Sequence, residues 1–287
     1  MPANSPNLNL ERGTVVQDQF RVQRELGRGA MGVVYLALQF DLDRLIALKV
    51  FSIDQEDVPD PDHLFNEARA AGALSHLNIV QVYGAGRMDS GLGYIAMEYV
   101  PGETLGDRIE REGRMRVDAA LRVANEVASA LAHGWDRLQL AHGDVKPDNV
   151  LLDGDGRAKL ADFGLARAAT HERRDEVLRL TPLYAPPELI TGDRDFGDRR
   201  TDMYSFGATL YHMLCGAPPF PGKDPKSVMD HHVNDKAIPL KTRLPALSQR
   251  LSDFVDSLLQ KDPAQRPESW DDVVGTIAEL RRGLRGP

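Results

Sequence analysis

His142-Gly143-Asp144-Val145-Lys146-Pro147-Asp148-Asn149 leads straight into the strand-like Val150-Leu151-Leu152, and Leu160-Ala161-Asp162-Phe163-Gly164 follows a short way on. An Asp that can take a hydroxyl proton, with Asn and Asp oxygens that suit Mg2+, is the minimum that a phosphoryl-transfer site requires. That chemistry asks chiefly for positioning and charge neutralisation, so few reactive groups are needed. Either stretch alone could be turn chemistry. The ordered pair, downstream of a glycine cluster and a strand lysine, is far more specific.

The glycine cluster is Leu26-Gly27-Arg28-Gly29-Ala30-Met31-Gly32-Val33-Val34. Glycines at this spacing let backbone amides approach phosphate oxygens with no Cβ in the way. The pattern also suits a tight hairpin or a dinucleotide loop. A dinucleotide loop needs a helix directly after it, whereas residues 33–37 read as a strand, which favours a hairpin folding over a nucleotide. Lys49 sits in the apolar strand Ala47-Leu48-Lys49-Val50. It is either a solvated edge lysine or a buried charge that needs a partner, and Glu67 in Phe65-Asn66-Glu67-Ala68 is the natural candidate.

Outward from these motifs, residues 20–25, 33–37, 45–50, 79–83 and 94–100 read as strands, and 63–74 as a helix. After Pro101-Gly102 the character changes. Residues 119–131 place Ala120, Val123, Ala124, Val127, Ala128 and Leu131 on one helical face, and 202–214, 248–259 and 270–281 are also helical. The fold class is therefore α+β and bilobal. A tail over 1–17, expected to be disordered, precedes a five-stranded small lobe over 18–97. A hinge over 98–102, a helical lobe over 103–282 and a short tail over 283–287 complete the chain.

With 287 residues, 42% hydrophobic and 27% charged, the chain has an ordinary globular mixture. Its net charge of -8 gives no general attraction to nucleic acid or anionic lipid. Cys215 is the single cysteine, so no intrachain disulfide forms. No apolar run approaches the ~20 residues of a membrane-spanning helix, and residues 1–7 lack a hydrophobic signal core.

From about residue 20 to 282 the chain resembles the eukaryotic-type (Hanks-type) serine/threonine protein kinases, especially their bacterial branch. The resemblance implies ATP with Mg2+, or Mn2+, as cofactors, and protein Ser/Thr acceptors including the chain itself. In that family's pattern Gly27, Gly29 and Gly32 cover the ATP phosphates, and Lys49 holds the α- and β-phosphates while paired to Glu67. Asp144 is the catalytic base, Lys146 steadies the γ-phosphate, and Asn149 and Asp162 bind the metal. Met97 guards the back of the adenine pocket, Glu98 and Val100 offer backbone hydrogen bonds, and Val34, Ala47 and Leu151 sandwich the base. Glu188 pairs with Arg266, and Asp202 anchors the catalytic loop from below. Lys146 together with Thr181 resembles serine/threonine rather than tyrosine kinases.

Three departures from the pattern stand out. Gly143 replaces the Arg that normally receives a phosphate from the activation segment. Residues 166–180 are short and offer only Thr170 before the Thr181 region. Leu180 and Pro186 stand where Gly and Ala are usual. Activity independent of activation-loop phosphorylation is one reading of Gly143, and tolerated drift is the other. His-Gly-Asp also occurs in metabolite kinases of the aminoglycoside and choline phosphotransferase type, which typically lack the remaining motifs. A nucleotide-binding pseudokinase would lack Lys49, Asp144, Asn149 or Asp162, and all four are present. The domain is expected to be cytoplasmic, either free-standing or as part of a longer membrane-anchored protein.

Overall fold

The computed structural model describes residues 8–29, 32–53, 61–163, 181–193 and 198–284. Expectations for residues 1–7, Gly164, Thr170 and Leu180 fall outside the described residues. The N-terminal lobe is built on an antiparallel sheet in the order β1-β2-β3-β4-β6-β5. Its strands are Val15–Val16 (β1), Phe20–Gly29 (β2), Gly32–Gln39 (β3), Arg44–Ser52 (β4), Val82–Arg87 (β5) and Leu92–Glu98 (β6).

Alternation along β4 sorts its side chains onto two faces. Ile46, Leu48 and Val50 join Val22, Tyr35 and Ala37 in one apolar cluster. Ala47 and Phe51 face the other way, against Leu64, Phe65 and Ala68 of helix α1 (Pro61–Gly72). Lys49 lies between these two residues in β4, and its side chain thus projects toward the helix side of the sheet.

The lobe departs from expectation in three ways. It has six strands rather than five, because Val15 and Val16 pair with Arg21 and Phe20. The tail assigned to 1–17 is ordered from Leu8 onward. The Tyr35 hydroxyl donates to the Leu8 carbonyl at 2.7 Å and accepts from the Leu10 amide at 3.0 Å, and both leucines pack on the sheet. The strand expected over 79–83 begins at Val82. Residues 78–80 hydrogen-bond to Leu160 of the other lobe instead, at 2.8 and 2.9 Å, so their backbone groups are already satisfied across the interlobe junction.

The C-terminal lobe is helical around one large core. A small sheet of β7 (Gly102–Thr104), β8 (Val150–Asp153) and β9 (Ala158–Leu160) lines its upper surface. Helix α2 (Leu105–Glu112) starts with a capping box in which Thr104 and Asp107 satisfy each other's amides. Helix α3 (Val117–Leu138) buries the stripe read from sequence and extends it to Gly134. Helices α4 (Pro187–Ile190), α5 (Arg199–Cys215), α6 (Pro225–Asn234), α7 (Leu240–Arg243), α8 (Gln249–Leu258) and α9 (Trp270–Leu284) follow. Helix α5 is buried nearly all round, from Thr201 to Leu214, as expected of a central rather than an amphipathic surface helix. Among the described residues no helix is long and apolar enough to cross a membrane.

Glu188 and Arg266 form the expected clamp, with two parallel bonds of 2.6 and 2.7 Å. The guanidinium also donates to the carbonyls of Arg200 and Gln260, and the Arg266 side chain is 0% exposed. Removing one partner strands a buried charge. Arg266→Leu or Glu188→Ala should each lower the urea unfolding free energy by about 3–5 kcal/mol. A loss below about 1 kcal/mol in either variant would show that the clamp does not hold the lobe together.

Candidate active site

The catalytic loop hangs from α5. Asp202 is buried, and its two carboxylate oxygens accept the amides of His142 at 2.6 Å and Gly143 at 2.8 Å. Burial pushes the Asp202 carboxyl up, against the His142 ring and these two amides, which favour its charged form. The His142 ring points inward. Its Nε2 faces the Ala161 carbonyl at 2.8 Å, so that nitrogen carries the proton and Nδ1 accepts the Asp144 amide at 3.1 Å. Phe163 meets the same ring edge-on at 5.2 Å. One imidazole thus ties the loop bearing Asp144 to the segment bearing Asp162.

Gly143 sits between these anchors with φ 82. A side chain at this φ is strained, and glycine occupies it freely. The residue type at this position therefore has a backbone reason of its own.

The Asp144 carboxylate is held from three directions. Lys146 Nζ lies 2.6 Å from Oδ2, the Thr181 hydroxyl donates to Oδ1 at 3.0 Å, and Asn149 Nδ2 donates to Oδ2 at 3.1 Å. Lys146 also donates to the Thr181 hydroxyl at 2.7 Å, closing a triangle. Sequence reading took Thr181 only as a marker of kinase type, and its direct hold on Asp144 went unseen. The Asn149 amide nitrogen is further engaged by the Asp144 carbonyl at 2.7 Å.

Across the cleft, Lys49 donates to Asp162 at 2.7 Å. This corrects the expected pairing with Glu67. Lys49 is buried, and Asp162 presents the carboxylate that it reaches first. Glu67 stays on α1 with Oε2 buried and without a hydrogen-bond partner among the described residues, while Oε1 lies 3.8 Å from His63. Burial alone would raise the Asp162 carboxyl, but the adjacent Lys49 ammonium, with His142 and Lys146, holds it below the usual carboxylate range. Asp162 itself adopts φ 59, an uncommon backbone state for a non-glycine residue and one found at functional sites.

Above these groups, Gly27 and Gly29 in β2 have nothing within 4 Å of where a Cβ would stand. Gly32 differs: its φ is 133, and a Cβ would lie 2.3 Å from the Val50 carbonyl oxygen, so close packing requires glycine there. Val34, Ala47, Met97, Val100 and Leu151 come together with Ala161 in a single apolar cluster at the lobe junction. Glu98 turns its carboxylate away to Lys159, with both oxygens at 3.0 Å, leaving only its backbone for a ligand. Lys159 belongs to none of the motifs read from sequence, so the pair was not legible there.

Two lobes joined by a hinge, a glycine hairpin above the cleft and paired Asp144–Asn149 and Lys49–Asp162 groups inside it define the protein kinase fold. The chain belongs to the protein kinase domain family, whose model matches residues 20–275. It is 36% identical over 276 residues to the serine/threonine-protein kinase PknB of Mycobacterium tuberculosis, covering 93% of this chain and 44% of that protein. It is 32% identical over 269 residues to the serine/threonine-protein kinase PrkC of Bacillus subtilis, covering 92% of this chain and 41% of that protein. The chain thus spans less than half the length of these curated relatives. The crystal structure of the Mycobacterium tuberculosis PknI kinase domain matches with a TM-score of 0.72 at 30% identity, covering 94% of this chain and 99% of that one.

The backbone state of Gly143 yields a direct test. Gly143→Ala should destabilise the domain by about 1–2 kcal/mol in urea unfolding, the cost of a side chain in left-handed backbone. Unchanged or increased stability would show that the loop relaxes out of that conformation.

Proposed function

We propose that this domain is a serine/threonine protein kinase, transferring the γ-phosphoryl of ATP to Ser and Thr hydroxyls of protein acceptors and of itself. The observation that carries the reading is the Asp144–Lys146–Thr181 triangle facing the Lys49–Asp162 pair across one cleft. Asp144, fixed on three sides, is the group to orient an acceptor hydroxyl and take its proton. Lys146, within reach of both Asp144 and Thr181, is placed to steady the transferring phosphoryl. Gly27 and Gly29 leave room for backbone amides to approach phosphates, and the cluster of Val34, Ala47, Met97, Val100 and Leu151 offers an apolar slot for adenine beside the Glu98 and Val100 backbone.

The donor set fits Mg2+, or Mn2+ in its place. Asp162 offers a carboxylate. Asn149 commits its amide nitrogen to Asp144, which leaves its carbonyl oxygen for a ligand. Both are hard oxygen donors, and the remaining positions would be filled by phosphate and water. An ion held by Asp162 and Asn149 would neutralise phosphate charge in the cleft. Lys49, fixed beside Asp162 in the cleft, would present a positive charge to the ATP phosphates.

Activity without activation-segment phosphorylation is part of the proposal. Gly143 carries no side chain to receive a phosphate, and the Thr181–Asp144 contact forms in the unmodified chain. The named relatives favour a protein acceptor over a metabolite, and the complete set of paired polar groups favours catalysis over a silent binding module. A domain that consumes ATP works where ATP is held, which favours the cytoplasmic side.

Asp144→Asn should cut kcat by about 10²–10⁴-fold, the range for loss of a general base, with ATP affinity within a few-fold of wild type. Equal turnover would remove Asp144 from the mechanism. Phosphatase treatment should leave wild-type turnover intact, and a collapse would mean that a phosphorylated residue is required.

A further inference from the structure

The outer flank of the glycine hairpin carries a contact from a segment that lies outside the sheet. β4 pairs with β3 no nearer the hairpin tip than Val33, which lies opposite Val50. The ladder between β2 and β3 shifts register twice, between Val22 and Arg24 and between Glu25 and Gly27. β1 pairs only with Phe20 and Arg21, so among the described residues no strand flanks the outer edge of β2 from Arg24 to Gly29. In the sheet, the stretch bearing Gly27 and Gly29 is therefore held by β3 alone, and each register shift locally disrupts that ladder.

Residues 8–10 supply a second hold. The buried Tyr35 hydroxyl fixes this segment through the Leu8 carbonyl and the Leu10 amide, and both leucine side chains pack on the sheet. Asn9, between them, is exposed, and its Oδ1 accepts from Arg28 Nη2 at 2.7 Å. The same guanidinium nitrogen donates to Glu25 Oε2 at 2.9 Å. Arg28 stands between Gly27 and Gly29, and Glu25 lies opposite Tyr35 in the β2–β3 register. A path from Tyr35 through Leu8–Leu10 to Arg28 thus joins the buried body of the sheet to the hairpin tip and bypasses the second register shift.

We propose that Asn9 is a positioning residue for the nucleotide: through Arg28 it holds the glycine hairpin in place over the phosphates and tightens the binding of Mg·ATP. A hairpin already held loses less conformational freedom when a ligand binds beneath it, and the smaller loss appears as affinity. This role rests on the protein kinase reading, which puts phosphates under Gly27 and Gly29. It assigns part of the ATP affinity to a residue that lies outside the sheet and the cleft.

The test measures Kd for Mg·ATP and for adenosine in wild type, Asn9→Ala, Asn9→Asp, Arg28→Ala and the Asn9→Ala/Arg28→Ala double variant, with thermal stability measured in parallel. Adenosine fills the apolar slot without placing phosphates under the hairpin, so it separates hairpin positioning from general damage to the cleft. The Arg28 side chain is 46% exposed, which places its bond to Asn9 at the weak end of the hydrogen-bond range. Asn9→Ala should therefore raise the Mg·ATP Kd about two- to fivefold and leave the adenosine Kd unchanged. Asn9→Asp keeps an acceptor for the guanidinium and should bind Mg·ATP like wild type. In the Arg28→Ala background, Asn9→Ala should add no further loss, because the two residues act through one contact. An unchanged Mg·ATP Kd in Asn9→Ala, a parallel rise for adenosine, or losses that add in the double variant overturns the proposal. Failure of wild type to bind Mg·ATP would instead overturn the kinase reading itself.

Discussion

The catalytic loop depends on one buried carboxylate. Asp202, at the start of α5, holds the amides of His142 and Gly143 at 2.6 and 2.8 Å. Helix α5 cannot shift easily, since its residues from Thr201 to Leu214 are packed in the core. That rigidity passes through Asp202 to His142, then through the imidazole to Ala161 and the Asp144 amide. The Arg200 carbonyl of the same helix accepts from the Arg266 guanidinium of the clamp with Glu188. A single central helix therefore sets the relative position of the Asp144 loop, the Asp162 segment and the Glu188–Arg266 clamp.

The two lobes are joined by backbone bonds as well as by the hinge. Asn78 and Val80 share hydrogen bonds with Leu160, and the Asn78 side chain donates to the Ala158 carbonyl at 2.8 Å. Lys49 to Asp162 is the charged link across the cleft. The Lys49 ammonium, with His142 and Lys146, holds the Asp162 carboxyl below the usual carboxylate range against the effect of burial. With Lys49 on Asp162, the buried Glu67 Oε2 has no hydrogen-bond partner among the described residues.

Much of this was legible in the sequence because motif residues and hydrophobic period coincide. The helical stripe from Ala120 to Leu131, the strands around Val33 and Lys49, the Glu188–Arg266 clamp and the Asp202 anchor all follow from local pattern or family resemblance. The partner of Lys49 did not, because the choice between Glu67 and Asp162 depends on how α1 sits against the sheet. The order of residues 8–17 was hidden because it rests on the hydroxyl of Tyr35, a residue that reads as ordinary strand. Gly143 read as a lost phosphate receptor, and only the backbone angle showed that the position also favours glycine. Lys261 stood in the Lys261–Pro267 stretch read for Arg266, and its contacts with the Tyr204 hydroxyl and the His232 carbonyl were not legible there.

The central claim is that the cleft moves the γ-phosphoryl of ATP onto a protein hydroxyl. The most direct measurement is incubation with γ-labelled Mg·ATP, followed by mass spectrometry of the domain and of candidate protein acceptors. The account predicts Mg2+-dependent label on Ser or Thr of protein. Label confined to a small-molecule acceptor, or bound nucleotide with no transfer at all, would contradict it.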